Sequence, residues 1–324
     1  DDTEEASRCT SADRGSRHKS RAGAVVSYLL ETFRRSSRQI RWIGFYHAEH
    51  VLDLLPAGSF LVFPPGADSA LTGADLAARA LRPVAFLPDD PFMFESDTWC
   101  FSRFAEARDW LAARAITPLA LMWGEEWYTR PEVKTWPYFA GFSGMAFADR
   151  LRARVDQILV LLRSVMPGVP IVQVENWWNN DPSLGGVGFY RPVFTQTDVL
   201  GLDAYLTTGG VPEWGTPALT SVADQAMLNK FYTEVGRFYE HAATYGKPLM
   251  AVGQAFRIPE SPLWSVAPTP DQLEWFYVLA QRTPVVVGLA WFAVEAWANG
   301  LLRPDLAAQA QRVQELYAYN AQLI

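Results

Sequence analysis

KPLMAVGQAF, residues 247–256, runs apolar from Pro248 to Gly253 and then presents an uncharged amide, Gln254. Hydrophobicity this continuous, with no polar residue at alternate positions, marks a strand buried on both faces, as in a parallel sheet. Seven further runs share the pattern: IRWIGFY from Ile40, SFLVFP from Ser59, RPVAFLP from Arg82, TPLALMWG from Thr117, VPIVQVE from Val169, DVLGLDAY from Asp198 and PVVVGLAWF from Pro284. Helical segments lie between them. FAEARDWLAARA precedes the fourth run, and FADRLRARVDQILVLLRSVMPG precedes the fifth, closed by Pro167-Gly168. NKFYTEVGRFYEHAATYGKP precedes the seventh with Gly246 as its cap, DQLEWFYVLAQR precedes the eighth, and a last helix follows Pro304.

Eight strands alternating with helices predict an α/β fold of the (β/α)8 TIM-barrel class, a single domain over residues 39–324. Residues 1–38 form an N-terminal extension with one helix, AVVSYLLETFRR. A doubly wound sheet would place a glycine-rich phosphate turn after an early strand. Neither G-x-G-x-x-G nor G-x-x-x-x-G-K-[ST] occurs, and GGVGFY (residues 185–190) lacks the third glycine.

The 324 residues are 49% hydrophobic and 19% charged, enough for a large core, with a net charge of −7. The negative balance argues against a nucleic-acid partner, which needs a concentrated basic surface. The arginine-rich region from Arg8 to Arg41 is interrupted by acids and reads as a solvated lead-in. No apolar run reaches the length of a membrane span, so no membrane partner is expected. The first residues are too polar for a signal peptide; removal of one before Asp1 would favour a secreted or periplasmic location. Cys9 and Cys100 show no metal spacing and fit either one disulfide or two thiols. Oligomeric state is unreadable.

In such a barrel the reactive groups stand at the C-terminal ends of the strands. Those ends offer Tyr46 and His47, then Asp89 and Asp90, Glu125 and Glu126, Glu175 and Asn176, Asp203 and Tyr205, Gln254, and finally Trp291 and Glu295. Acids, amides and aromatics abound, whereas the whole chain has only four histidines. His47 and His50 lack a third partner, so no metal site and no cofactor are expected. GFSGM breaks the G-x-S-x-G elbow, and neither cysteine has a histidine beside it in a recognisable setting. Carboxylate chemistry remains. Glycosidic hydrolysis needs a proton donor on the leaving oxygen and a second group across the sugar ring. Glu126 is the expected acid, because it closes the fourth strand inside a tryptophan-rich loop, EEWYTRPEVKTWPY. The 13 tryptophans include others in polar settings, such as NWWNND, where Trp177 lies, and aromatic loops suit sugar rings.

MWGEEW (residues 122–127) resembles the strand-4 ending of the clan A glycoside hydrolase barrels. That resemblance implies Glu126 as acid/base, Glu125 in the preceding polar place, Tyr205 facing the nucleophile and Trp291 as the floor of a sugar subsite. It extends in order and spacing over residues 40–300. It implies a carbohydrate substrate, which Glu125, Tyr205 and Trp291, with the strand-end residues Tyr46, Glu175, Asn176 and Glu295 and the loop aromatics Trp127 and Trp177, are expected to surround. Two positions depart from the pattern: Glu125 replaces an asparagine, and Gln254 stands where the nucleophilic glutamate belongs. Four explanations compete: an engineered Glu→Gln change, a second carboxylate from Asp203, Glu175 or Glu295, a substrate acetamido group oriented by Gln254 or Asp203, or a barrel that binds sugar without cutting it. The second is favoured, and a wide Glu126–Asp203 pair would imply inversion through water. Gln254 then serves as a hydrogen-bonding group to sugar hydroxyls. A lyase or isomerase on the same fold lacks a lysine or histidine base at a strand end.

Overall fold

Each of the eight apolar runs forms a strand. They are β1 (Trp42–Tyr46), β2 (Phe60–Phe63), β3 (Arg82–Leu87), β4 (Ala120–Glu125), β5 (Ile171–Asn176), β6 (Val199–Ala204), β7 (Leu249–Gln254) and β8 (Val286–Phe292). All neighbours pair in parallel, and β8 returns to β1 to close the barrel. The computed structural model describes residues 40–46, 48, 52–53, 55–66, 69–127, 130–176, 195–204, 246–255, 257, 267–292 and 304–323. The expected N-terminal helix, the helix expected before β7, and Cys9 lie outside these residues. Cys100 is a buried free thiol whose Sγ donates to the Met93 carbonyl at 2.7 Å.

The helices described are α1 (Gly73–Ala78), α2 (Pro91–Glu95), α3 (Asp97–Ala113), α4 (Pro131–Thr135), α5 (Gly144–Val165), α6 (Pro270–Arg282) and α7 (Ala307–Ala321). Their starts follow local chemistry. Thr269 and Gln272 form a capping box with Pro270 at the first helical position, which sets the start of α6. Ser96 caps α3 through the Trp99 amide, so the helix begins seven residues before the FAEARDWLAARA segment.

Period-two alternation divides the sheet into two surfaces. Tyr46, Phe60, Val62, Val84, Met122, Val172, Val174, Val199, Met250, Val252 and Ala290 fill the barrel interior. Phe45, Leu61, Leu87, Leu121, Trp123, Leu202, Leu249, Leu289 and Trp291 face the surrounding helices. The interior admits the Phe60 ring because β1 has Gly44 beside it; a Cβ there would lie 2.4 Å from that ring. Outside β4 an aromatic cluster gathers, with Phe94 at 5.8 Å from Trp123, 5.3 Å from Trp127, 5.0 Å from Trp136 and 5.2 Å from Phe139. Such pairs contribute about 0.5–1.5 kcal/mol each beyond their burial.

The barrel's seam is secured from outside by Asn320 on α7. Its Oδ1 accepts from the Ile40 amide at 2.9 Å and from Tyr277 Oη at 3.0 Å, and its Nδ2 donates to the Ile40 carbonyl at 2.8 Å. A buried side-chain amide thus satisfies the backbone just before β1.

Candidate active site

The strand-4 ending sets the site, and it does so by irregularity. Between β4 and β5, Met122 pairs with Val172 while Glu125 pairs with Val174, so three steps on one strand match two on the other. This is a β-bulge, and it resets the alternation. A regular strand with Met122 inward would turn Glu125 outward; the bulge puts it in phase with inward Val174. Gly124 makes the turn at φ +64°, and a Cβ there would fall 1.9 Å from Cζ2 of the Trp127 ring. Only glycine fits this approach. Glu126 follows at φ +50°, a left-handed conformation uncommon for a residue with a side chain and shared in this chain with the turn residues Ala80 and Ala115. Its amide donates to the Val174 carbonyl at 2.9 Å, which ties the strained turn to β5.

Five acidic or phenolic groups, from β1, β5, β6 and the end of β4, interact here. Asp203, 2% exposed on β6, is hydrogen-bonded to Glu126. Burial first, then the charge and hydrogen bond of Glu126 and the charges of Glu125 and Glu175, hold its carboxyl well above the usual range. Glu125 is pushed up to about 8, by loss of hydration first and by Glu126 second, with Arg130 opposing. Tyr46 is fully buried, its Oη donates to Met122 Sδ at 2.9 Å, and burial followed by Glu125, Asp203 and Glu126 raises its pKa. Burial and mutual repulsion thus favour the protonated forms of Asp203 and Glu125. Gln254, 1% exposed at the end of β7, is in register with Phe292, whose ring lies 5.5 Å from Tyr46.

The Glu126–Asp203 pair, expected to be wide, is close enough for a side-chain hydrogen bond to count among the causes that raise Asp203. Three other candidate residues are placed as follows. Glu175 shares its face with Ile171 and Gln173, so it points away from the barrel interior, with Oε1 3.3 Å from Gln173 Nε2. Trp291, 1% exposed, lies on the helix side of β8 against Phe276 at 5.9 Å. Trp127 is wholly buried behind β4, with its ring 4.8 Å from Trp123. Asn176 pairs with Asp203 in the sheet register. His47, His50, Trp177, Tyr205 and Glu295 lie outside the described residues.

Sequence reading missed Arg130 and Met122. Arg130 donates to Asp89 at 2.5 Å and to Glu132 at 2.8 Å, stands 5.2 Å from the Trp127 ring, and is bonded through its amide to the Glu126 carbonyl at 3.1 Å. It buttresses the loop after β4 with its charge already neutralised. The glycine inside MWGEEW was the signal available for the bulge.

No family model and no curated protein sequence matches the chain. Its fold, a closed eight-stranded parallel barrel, is similar to that of several solved glycoside hydrolases. It is similar to an exo-β-1,4-mannosidase from Opitutaceae bacterium strain TAV5, with a TM-score of 0.55 and 13% identity over 88% of this chain and 60% of that one. A modular endo-β-1,4-mannanase from Cellulomonas fimi gives a TM-score of 0.55 and 14% identity, covering 92% of this chain and 74% of that one. A β-D-glucuronidase from Dictyoglomus thermophilum gives 0.51 and 14%, covering 88% and 51%. The chain thus spans about three fifths of the mannosidase and half of the glucuronidase.

Proposed function

We propose that this chain is a glycoside hydrolase in which Glu126 delivers the proton to the leaving oxygen and Asp203 stores that proton. The observation that carries the reading is the buried Asp203 carboxyl, raised by burial and by its contact with Glu126, in a barrel similar in fold to solved glycosidases. Burial, more than the contact itself, favours the protonated form of Asp203, which passes its proton to Glu126. An arriving glycosidic oxygen replaces Asp203 as the partner of Glu126. The C–O bond breaks, its electron pair leaves with the oxygen, and that oxygen takes the proton. A water molecule adds to the oxocarbenium-like carbon and returns a proton to the pair. Asp203, in contact with Glu126, does not stand across the sugar from it and is a positioning residue rather than a nucleophile. Gln254, a neutral amide able to donate and accept, suits a sugar hydroxyl. Glu125, Glu126 and Asp203 together disfavour an anionic sugar, so neutral β-linked hexose chains are the expected substrates.

A second reading, a barrel that binds glycans without cutting them, is favoured by the amide at position 254. Reducing-end release from β-1,4-mannan, β-1,4-galactan, β-1,4-glucan and aryl glycosides distinguishes the two. The parent chain is expected to cleave one of these. Glu126→Gln should lose about 10²–10⁴-fold in rate, the usual worth of a general acid. Asp203→Asn should lose less and shift the alkaline limb of the pH profile. Full activity in both variants sinks the proposal. Activity confined to Gln254→Glu would establish the binding reading for the parent.

A further inference from the structure

The rim of the barrel beyond β3 carries a second feature. Phe92 is 63% exposed and Trp99 is 42% exposed, whereas Met93, Phe94 and Cys100 beside them are completely buried. The two exposed rings are held in place. Their centroids are 6.3 Å apart at 71°, so they form a corner. The indole Nε1 donates to both carboxylate oxygens of Asp90 at 3.0 Å. The same carboxylate accepts from the Phe92 amide at 2.9 Å and the Met93 amide at 3.3 Å, capping α2. Arg103 stands 5.9 Å from the indole ring and 3.8 Å from Asp90.

A fixed aromatic corner edged by a carboxylate and a guanidinium matches one kind of ligand well. The C–H face of a pyranose packs on aromatic rings, and its equatorial hydroxyls reach charged groups at their edge. Two rings are far too little for a stable protein interface, which needs roughly 800 Å² from each partner. The corner also lies on the mouth side, because α2 and the first turn of α3 directly follow the C-terminal end of β3. Asp89, adjacent to Asp90, is ion-paired with Arg130, whose amide is bonded to the Glu126 carbonyl. Three links therefore join the corner to the carboxyl pair.

We infer that Phe92 and Trp99 form a carbohydrate-stacking platform on the rim, which holds a distal unit of an oligosaccharide while another unit occupies the carboxyl site. The ligand class rests on the glycosidase reading. Rings held in place beforehand cost little entropy on binding. The platform should therefore act on long chains and be silent for short ones.

The test compares the parent with Trp99→Ala, Phe92→Ala and Trp99→Tyr on β-1,4-linked hexasaccharides of mannose, glucose and galactose, against the corresponding disaccharides. The alanine variants should raise KM for the preferred hexasaccharide about tenfold, with kcat and disaccharide kinetics unchanged, and Trp99→Tyr should restore most of the loss. Equal losses on disaccharide and hexasaccharide, or none on either, overturn the platform. If the parent cleaves nothing, the hydrolase reading fails separately, and the platform is read by calorimetric titration of the same hexasaccharides. A tenfold weaker Kd in Trp99→Ala then supports it. Unchanged affinity, or no binding by the parent at millimolar concentration, overturns it. Melting temperatures of the variants should match the parent, since both rings are exposed.

Discussion

Glu125→Gln tests the electrostatics of the mouth without touching the proposed acid. The Glu125 carboxyl has its pKa raised from 4.5 to about 8 in the folded chain. Below pH 4.5 it is protonated folded or unfolded, and the stability it allows is fully present. As pH rises toward 8, the unfolded chain releases the proton and the folded chain keeps it, so stability is lost at about 1.4 kcal/mol per pH unit. Carried across the whole window this reaches roughly 5 kcal/mol; because the side chain is only half-buried, water screens it and about 2 kcal/mol is the better expectation. The amide of the variant has no such proton to lose. For a chain of this length an unfolding entropy near 2.1 cal/mol/K per residue converts about 2 kcal/mol into a Tm difference of ~3 °C. Thermal scans of parent and variant from pH 4.5 to 9 should coincide at the acid end and separate by about 3 °C in favour of the variant at pH 8.5. The neutral amide also removes a like charge from Asp203, so the gap should not reverse. Parallel curves, or a variant less stable at pH 8.5, would refute the placement of this carboxyl inside the mouth.

Two further predictions concern the frame around the site. Gly124→Ala places a methyl group into the Trp127 ring at a left-handed backbone position, at a cost of about 1–2 kcal/mol in strain and 1–3 in overpacking; denaturant melts should show the loss, and glycan cleavage should fall with it because Glu126 shifts. Asn320→Leu leaves the Ile40 amide and carbonyl and the Tyr277 hydroxyl short of a partner and should destabilise by about 2–4 kcal/mol, measured by the same melts, while the catalytic pH profile stays in place.

The barrel was legible in the sequence because every strand is buried on both faces and so appears as an apolar run, and because Pro and Gly mark the ends of α5 and the start of β7. The same property hid the site. In PVVVGLAWF every position is apolar, so nothing in the pattern tells whether Ala290 or Trp291 faces inward; the answer depends on pairing with β1 and β7. Asp203 and Gln254 could be picked out because a polar side chain ends each run, and the structure places both inward. Glu175 also ends a run, yet its parity sends it to the helix side. Glu125 is the converse case: parity would exclude it, and the bulge at Gly124 brings it in. Short α1 and α2 carry too few residues for a helical period and are fixed instead by the caps Thr72 and Asp90.

Asn320 also bears on the order in which the chain can be finished. Its bonds to Ile40 span 280 residues. A ribosome adding about 5–20 residues each second would need roughly 15–60 s to pass from one partner to the other. Through that interval the backbone at the head of β1 must be served by water or by a helper protein. The first strand made is among the last to be completed, and the seam between β8 and β1 is where a chaperone would have most to protect.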